Sequence, residues 1–168
     1  EIGEVTLVCD DWKKPAPLQR SWCLLELYAA ALHGIKVDMA MGGDQVRAFE
    51  AAFTSAAGFD DLMQAIADVD VAKATARKEE DRLHILRLVE GMEGGVAGLN
   101  AKVGALMREL HVAVGMRLLE DAGGMDAETE TVAQLCNQLG LMLDKYGELE
   151  RARPLYKRCL ELDEKLYG

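Results

Sequence analysis

Thr131-Val-Ala-Gln-Leu-Cys-Asn-Gln-Leu-Gly-Leu-Met-Leu-Asp-Lys-Tyr-Gly147 and Glu148-Leu-Glu-Arg-Ala-Arg-Pro-Leu-Tyr-Lys-Arg-Cys-Leu-Glu-Leu-Asp-Glu-Lys-Leu-Tyr-Gly168 form two apolar-periodic runs joined at a glycine. Ala133, Cys136, Leu139-Gly140 and Leu143 recur every three or four residues, Gly147 interrupts them, and Ala152, Tyr156 and Cys159 resume the pattern. This is the spacing of a helix-turn-helix unit. Gly140 and Ala152 lack bulk where two antiparallel helices would approach closely, and Leu139 and Tyr156 fill the space between them.

Over residues 131–168 the pattern resembles a tetratricopeptide repeat: a Leu-Gly pair in the first helix, a small residue at the turn, and an alanine and an aromatic in the second. The long ending Leu155 to Gly168 lacks the usual closing proline and is similar to the repeats of kinesin light chains. One repeat cannot bury both faces, so the array is expected to continue beyond Gly168. The resemblance implies a scaffold or adaptor that binds a protein or peptide along its first helix, with Asn137, Gln138 and Lys145 as candidate contacts.

Upstream, strand signals lie at Val5–Val8 and at Ile35–Met41, where residues 35, 37, 39 and 41 alternate as apolar. Between them Asp10–Pro17 reads as a turn-rich loop, and Ser21 is expected to cap a helix through Trp22–Leu32 that stops at His33-Gly34. Strand, loop, helix, strand predicts a small βαβ unit with parallel strands, normally covered on both faces. Residue 1 is Glu and the first strand begins at once, so the chain is expected to be part of a longer one.

From Asp44 the pattern is helical: Gln45–Ala57 with apolar residues at 46, 49, 52, 53 and 56, then a short helix capped by Asp60 through Leu62, Met63 and Ile66. Asp68–Val71 reads as a connector. Glu79-Glu80-Asp81 suits the first turn of a helix with Leu83, Leu86 and Val89 on one face. Gly91–Gly95 breaks it, and Val96, Leu99, Val103, Leu106, Leu110 and Val114 mark the longest helix, ending near Asp121–Gly124. The expected architecture is therefore mostly α: a partial α/β segment (1–57), a helical connector (58–124), and antiparallel helices ending in one repeat unit (125–168).

A second resemblance rests on Arg20-Ser-Trp-Cys-Leu-Leu-Glu-Leu27, with Met41–Arg47 and Phe49–Phe53 after it. It is similar to the Ser-x-Trp-Cys-Leu-x-Glu-Leu segment of Toll/interleukin-1 receptor (TIR) domains and covers about residues 4–55. In NAD-cleaving members that glutamate is catalytic, which places Glu26 in the role and NAD as substrate in an alternative reading for a longer parent. The family's first strand, nucleotide-facing loop and first helices precede this segment, so the chain alone is not expected to be an enzyme. The run from Glu80 to Val103 resembles connectors that join a Trp-Cys-containing domain to kinesin-light-chain-like repeats.

With 19 basic against 29 acidic residues in 168, the net charge is −10, and no basic cluster offsets it. Nucleic acid and membrane surfaces are expected to be repelled. The absence of long apolar runs and of signal-peptide order at the start predicts a cytoplasmic protein. Cys9, Cys23, Cys136 and Cys159 form no CxxC pair and read as small hydrophobes in a reducing compartment. His33, His84 and His111 share no ligand spacing, the glycines at 91–98 follow a helix and read as a turn, and Asp10-Asp11 and Asp60-Asp61 read as end caps, so neither metal nor cofactor is expected. Open sheet edges and repeat faces predict self-association or assembly into a larger complex.

Overall fold

The computed structural model describes residues 3–67 and 69–168, with the side chains of 56, 57, 66 and 67 left aside. Asp68 and the side chains of Ala56 and Ile66, named above, lie outside the described residues. The chain is mostly helical, with a two-stranded parallel sheet near its start. In order come β1 (Glu4–Cys9), α1 (Ser21–Leu32), β2 (Lys36–Met41), α2 (Gly43–Phe53), α3 (Ala56–Ala67), α4 (Glu79–Glu90), α5 (Gly95–Asp121), α6 (Glu130–Lys145) and α7 (Leu149–Tyr167). The chain divides into two compact units, Glu1–Arg47 with Asp61–Leu110, and Ala48–Asp60 with His111–Gly168.

In the first unit β1 pairs in parallel with β2, from Glu4 opposite Lys36 to Cys9 opposite Met41. Leu7, Cys9 and Met39 are buried on one face, while Glu4, Thr6, Val8, Lys36 and Ala40 are exposed on the other. Cover on both faces, the normal condition of parallel strands, is therefore not met within this unit. The alternation in β1 and β2 already carries that information, because fully covered parallel strands read as continuous apolar runs.

α1 buries Ser21, Leu24, Leu27 and Ala30. Trp22 is not on the packed face: it is 43% exposed, and the buried indole is that of the loop residue Trp12. Ser21 is not the cap either: Arg20 holds that position, and the Ser21 hydroxyl donates to the Thr75 carbonyl at 3.2 Å. The same carbonyl accepts from the Ser21 amide at 2.9 Å, while the Thr75 amide donates to the Gln19 carbonyl at 2.8 Å. Asn100 ties the neighbouring stretch to α5, accepting from the Val71 amide at 2.9 Å and donating to Asp70 at 3.2 Å. Two polar clamps thus fasten residues 70–75, which have no regular structure of their own. In α4 the buried residues are Ile85 and Val89, and Leu83 is 46% exposed, so its inward face is rotated from the expected one.

The expected single helix 45–57 is two helices, broken at Thr54-Ser55. Ser55, not Asp60, provides the cap, its hydroxyl accepting from the Gly58 amide at 3.1 Å. Asp60 lies inside α3. In the second unit Phe49 and Phe53 stack with ring centroids 6.0 Å apart, and Phe49 meets His111 edge-on at 5.6 Å. A Cβ on Gly115 would come within 2.8 Å of both Leu139 and Phe53, so the glycine is what lets these groups approach. Between α6 and α7 the chain turns on Gly147, whose φ of +79° suits a residue without a Cβ. Its amide donates to the Asp144 carbonyl and that of Glu148 to the Leu143 carbonyl, both at 2.8 Å, the pairing of a Schellman motif. At Gly140 a Cβ would stand 2.7 Å from the Tyr156 ring, so the missing side chain makes room for that ring.

Candidate functional site

α6 starts on Thr129, whose hydroxyl accepts from the Val132 amide at 3.2 Å, with Glu130 in the first turn and Lys145 in the last, charges that suit the helix dipole. Val132, Ala133, Leu135, Cys136, Leu139, Gly140, Met142 and Leu143 are buried. This apolar stripe fixes the rotation of the helix and leaves Gln134, Asn137, Gln138, Leu141 and Lys145 on its outer face. Asn137, Gln138 and Lys145 therefore share one face, with Asn137 and Gln138 half-buried and Lys145 exposed.

Asn137 opens onto a groove of about 310 Å³ whose walls include Glu130 and Gln134 of α6 and Cys159, Asp163 and Tyr167 of α7. Two carboxylates and no basic side chain line it, so its field is negative. The Gln134 amide donates to Glu130 at 3.2 Å, and the Cys159 thiol donates to Asp163 at 3.6 Å. Burial, then the Asp163 charge, raises the Cys159 pKa and keeps it a thiol. The Tyr167 phenol is likewise raised, by partial burial and then by Glu130. At the other end of α6, Lys145 stands 3.7 Å from Asp60 and 5.0 Å from the centre of the Phe59 ring. Lys145 is thus already engaged, while Asn137 and Gln134 offer amide donors and acceptors to the groove. Sequence reasoning found Asn137 but not Glu130, Cys159, Asp163 or Tyr167. Cys159 was read only as a member of the apolar repeat pattern, and the signal for Asp163 and Tyr167 was the outer periodicity of α7, which that pattern leaves unread.

Glu26 is exposed on α1, and a cavity of about 290 Å³ in the first unit, among Lys13, Lys14, Leu18, Asp70, Lys73 and Thr75, does not include it. In that cavity Lys73 pairs with Asp70 at 3.1 Å, and Lys13 pairs with Asp61 at 2.6 Å. The four cysteines are free, and burial pushes Cys9 and Cys136 up to about 11. Among the described residues no group of three or more acidic, His or Cys side chains could hold a metal ion, and no helix is long and apolar enough to cross a membrane. No protein-family model matches the chain, and no curated protein or solved structure matches it either.

Proposed function

We propose that this chain is a protein-interaction module of scaffold or adaptor type, in which α6 and α7 act as an antiparallel tetratricopeptide-like unit and the outer face of α6 receives a peptide. Residues 125–168 form the repeat on this reading, 58–124 the connector and 1–57 a TIR-like remnant. The observation that carries it is the common outer face of Asn137, Gln138 and Lys145, bordered by a groove with amide and carboxylate walls. Amides pair with an extended peptide backbone, and Glu130 and Asp163 favour a lysine or arginine on the peptide. Four free thiols suit the cytoplasmic setting, and a net charge of −10 disfavours nucleic acid and anionic lipid as partners.

Peptides selected from a random library on the purified chain provide the test. They are expected to carry basic residues, and Asn137→Ala is expected to weaken the best of them by about three- to tenfold, as loss of one polar contact does, with a smaller effect from Lys145→Ala because Lys145 is paired with Asp60. Unchanged affinity in both variants contradicts the assignment.

A second reading rests on the Ser21–Leu27 resemblance together with the parallel β1–α1–β2 arrangement: NAD cleavage by a longer parent, with Glu26 as the catalytic carboxylate. Nicotinamide release that survives Glu26→Ala in that parent rejects it.

A further inference from the structure

The outward side of α7 carries a second pattern, of which the packing on α6 uses only the Tyr156 ring, against Gly140. Ala152, Leu155 and Leu162 are buried, as the helix-turn-helix unit requires. About a third of a turn away, Leu149, Arg153, Tyr156, Leu160, Asp163 and Tyr167 follow one another at steps of four, three, four, three and four residues, the a/d spacing of a two-helix seam. Leu149, Leu160 and Tyr167 are 57%, 60% and 68% exposed. Three large apolar groups at seam positions stand in water along a helix about 28 Å long.

The seam is self-complementary. Laid antiparallel on a second α7 with the two-fold axis at Arg158, it sets Leu149 against Tyr167, Tyr156 against Leu160, and Arg153 against Asp163. Every position meets a suitable partner, and the only two charges in the stripe meet as opposites. The parallel arrangement would instead stack Arg153 on Arg153 and Asp163 on Asp163. Arg158 is turned away from the axis, donating to the Met125 carbonyl at 2.6 Å. Asp163 also lines the acidic groove beside α6, so an arginine arriving at Asp163 enters a negative field.

We propose that the outer face of α7 binds a second copy of this chain in an antiparallel, two-fold α7–α7 pair held by Leu149–Tyr167, Tyr156–Leu160 and Arg153–Asp163 contacts. A two-fold axis makes each contact occur twice. On the flank Glu150 faces Glu164 and Lys157 faces Lys157, and these like charges keep the pair weak and reversible, with dissociation in the micromolar range or above. The proposal goes beyond peptide binding by α6 and is measured with no peptide present, so either reading can fail without the other.

Sedimentation equilibrium of the whole chain, from micromolar to near-millimolar, tests it. The expected result is a monomer–dimer equilibrium that Arg153→Asp and Asp163→Arg each weaken about tenfold or more, and that the double swap restores to within about threefold, because it rebuilds both cross-pairs. Both positions are exposed, and circular dichroism of each variant checks that the helices persist. A chain that stays monomeric throughout, single variants that associate like the parent, or a double swap as weak as the singles overturns the proposal.

Discussion

Gly104 and Gly115 stand about three turns apart on α5, and they answer to different constraints. A Cβ on Gly104 would meet only the end of the Arg108 side chain, at 3.8 Å, whereas one on Gly115 would collide with Leu139 and Phe53. The contrast extends to the units in which the two glycines lie. The second unit is built on close apolar approach, at Gly115 and at Gly140 against Tyr156. The first has a sheet covered on one face and is tied together by polar clamps at Thr75 and Asn100. The same residue type is thus a packing requirement in one place and a propensity loss in the other.

The largest effect expected from this contrast comes with acid. His111 is buried against Phe49 with Nδ1 unpartnered, and burial lowers its pKa from 6.5 to about 4. The unfolded chain takes up this proton first as pH falls. Stability is therefore full above about pH 6.5 and lost progressively down to about pH 4, by up to about 3 kcal/mol. Denaturant titrations of wild type and His111→Leu across that window should diverge, with the variant flatter. Parallel pH curves would show that His111 is not the group responsible.

Next in size is Gly115→Ala, where overpacking against Leu139 and Phe53 is expected to cost about 1–3 kcal/mol and lower the melting temperature. Asn100→Ala in the first unit follows. It strands the Val71 amide and releases Asp70, with an expected loss of about 1–2 kcal/mol in a denaturant titration. The smallest change should have the opposite sign: Gly104→Ala should stabilise by about 0.5–1 kcal/mol, the helix-propensity difference. Equal losses at Gly104 and Gly115 would erase the distinction between the two halves of α5.

These differences also show what a sequence carries. β1, α1, β2, α4, α5, α6 and α7 were legible because each has a period of its own, closed by punctuation such as Gly34 or Gly147. That position 140 needs a small residue was legible for the same reason, whereas its partner in the approach, the Tyr156 ring, was not. Ser21 was misread as a cap because its partner, Thr75, lies 54 residues away, and helix propensity holds no trace of that bond. Of the candidate site, Asn137, Gln138 and Lys145 could be placed on one face from period alone. Asp163 and Tyr167 could not, because they join Asn137 only once α7 is rotated onto α6.

The central claim is that α6 is the recognition surface, and hydrogen exchange read by mass spectrometry, with and without a library-selected peptide, tests it most directly. The account predicts that added protection concentrates on peptic fragments of Glu130–Lys145, with α1 (Ser21–Leu32) unchanged. Protection confined to α1 or to the Lys13–Gln19 loop, with α6 exchanging as before, would contradict it.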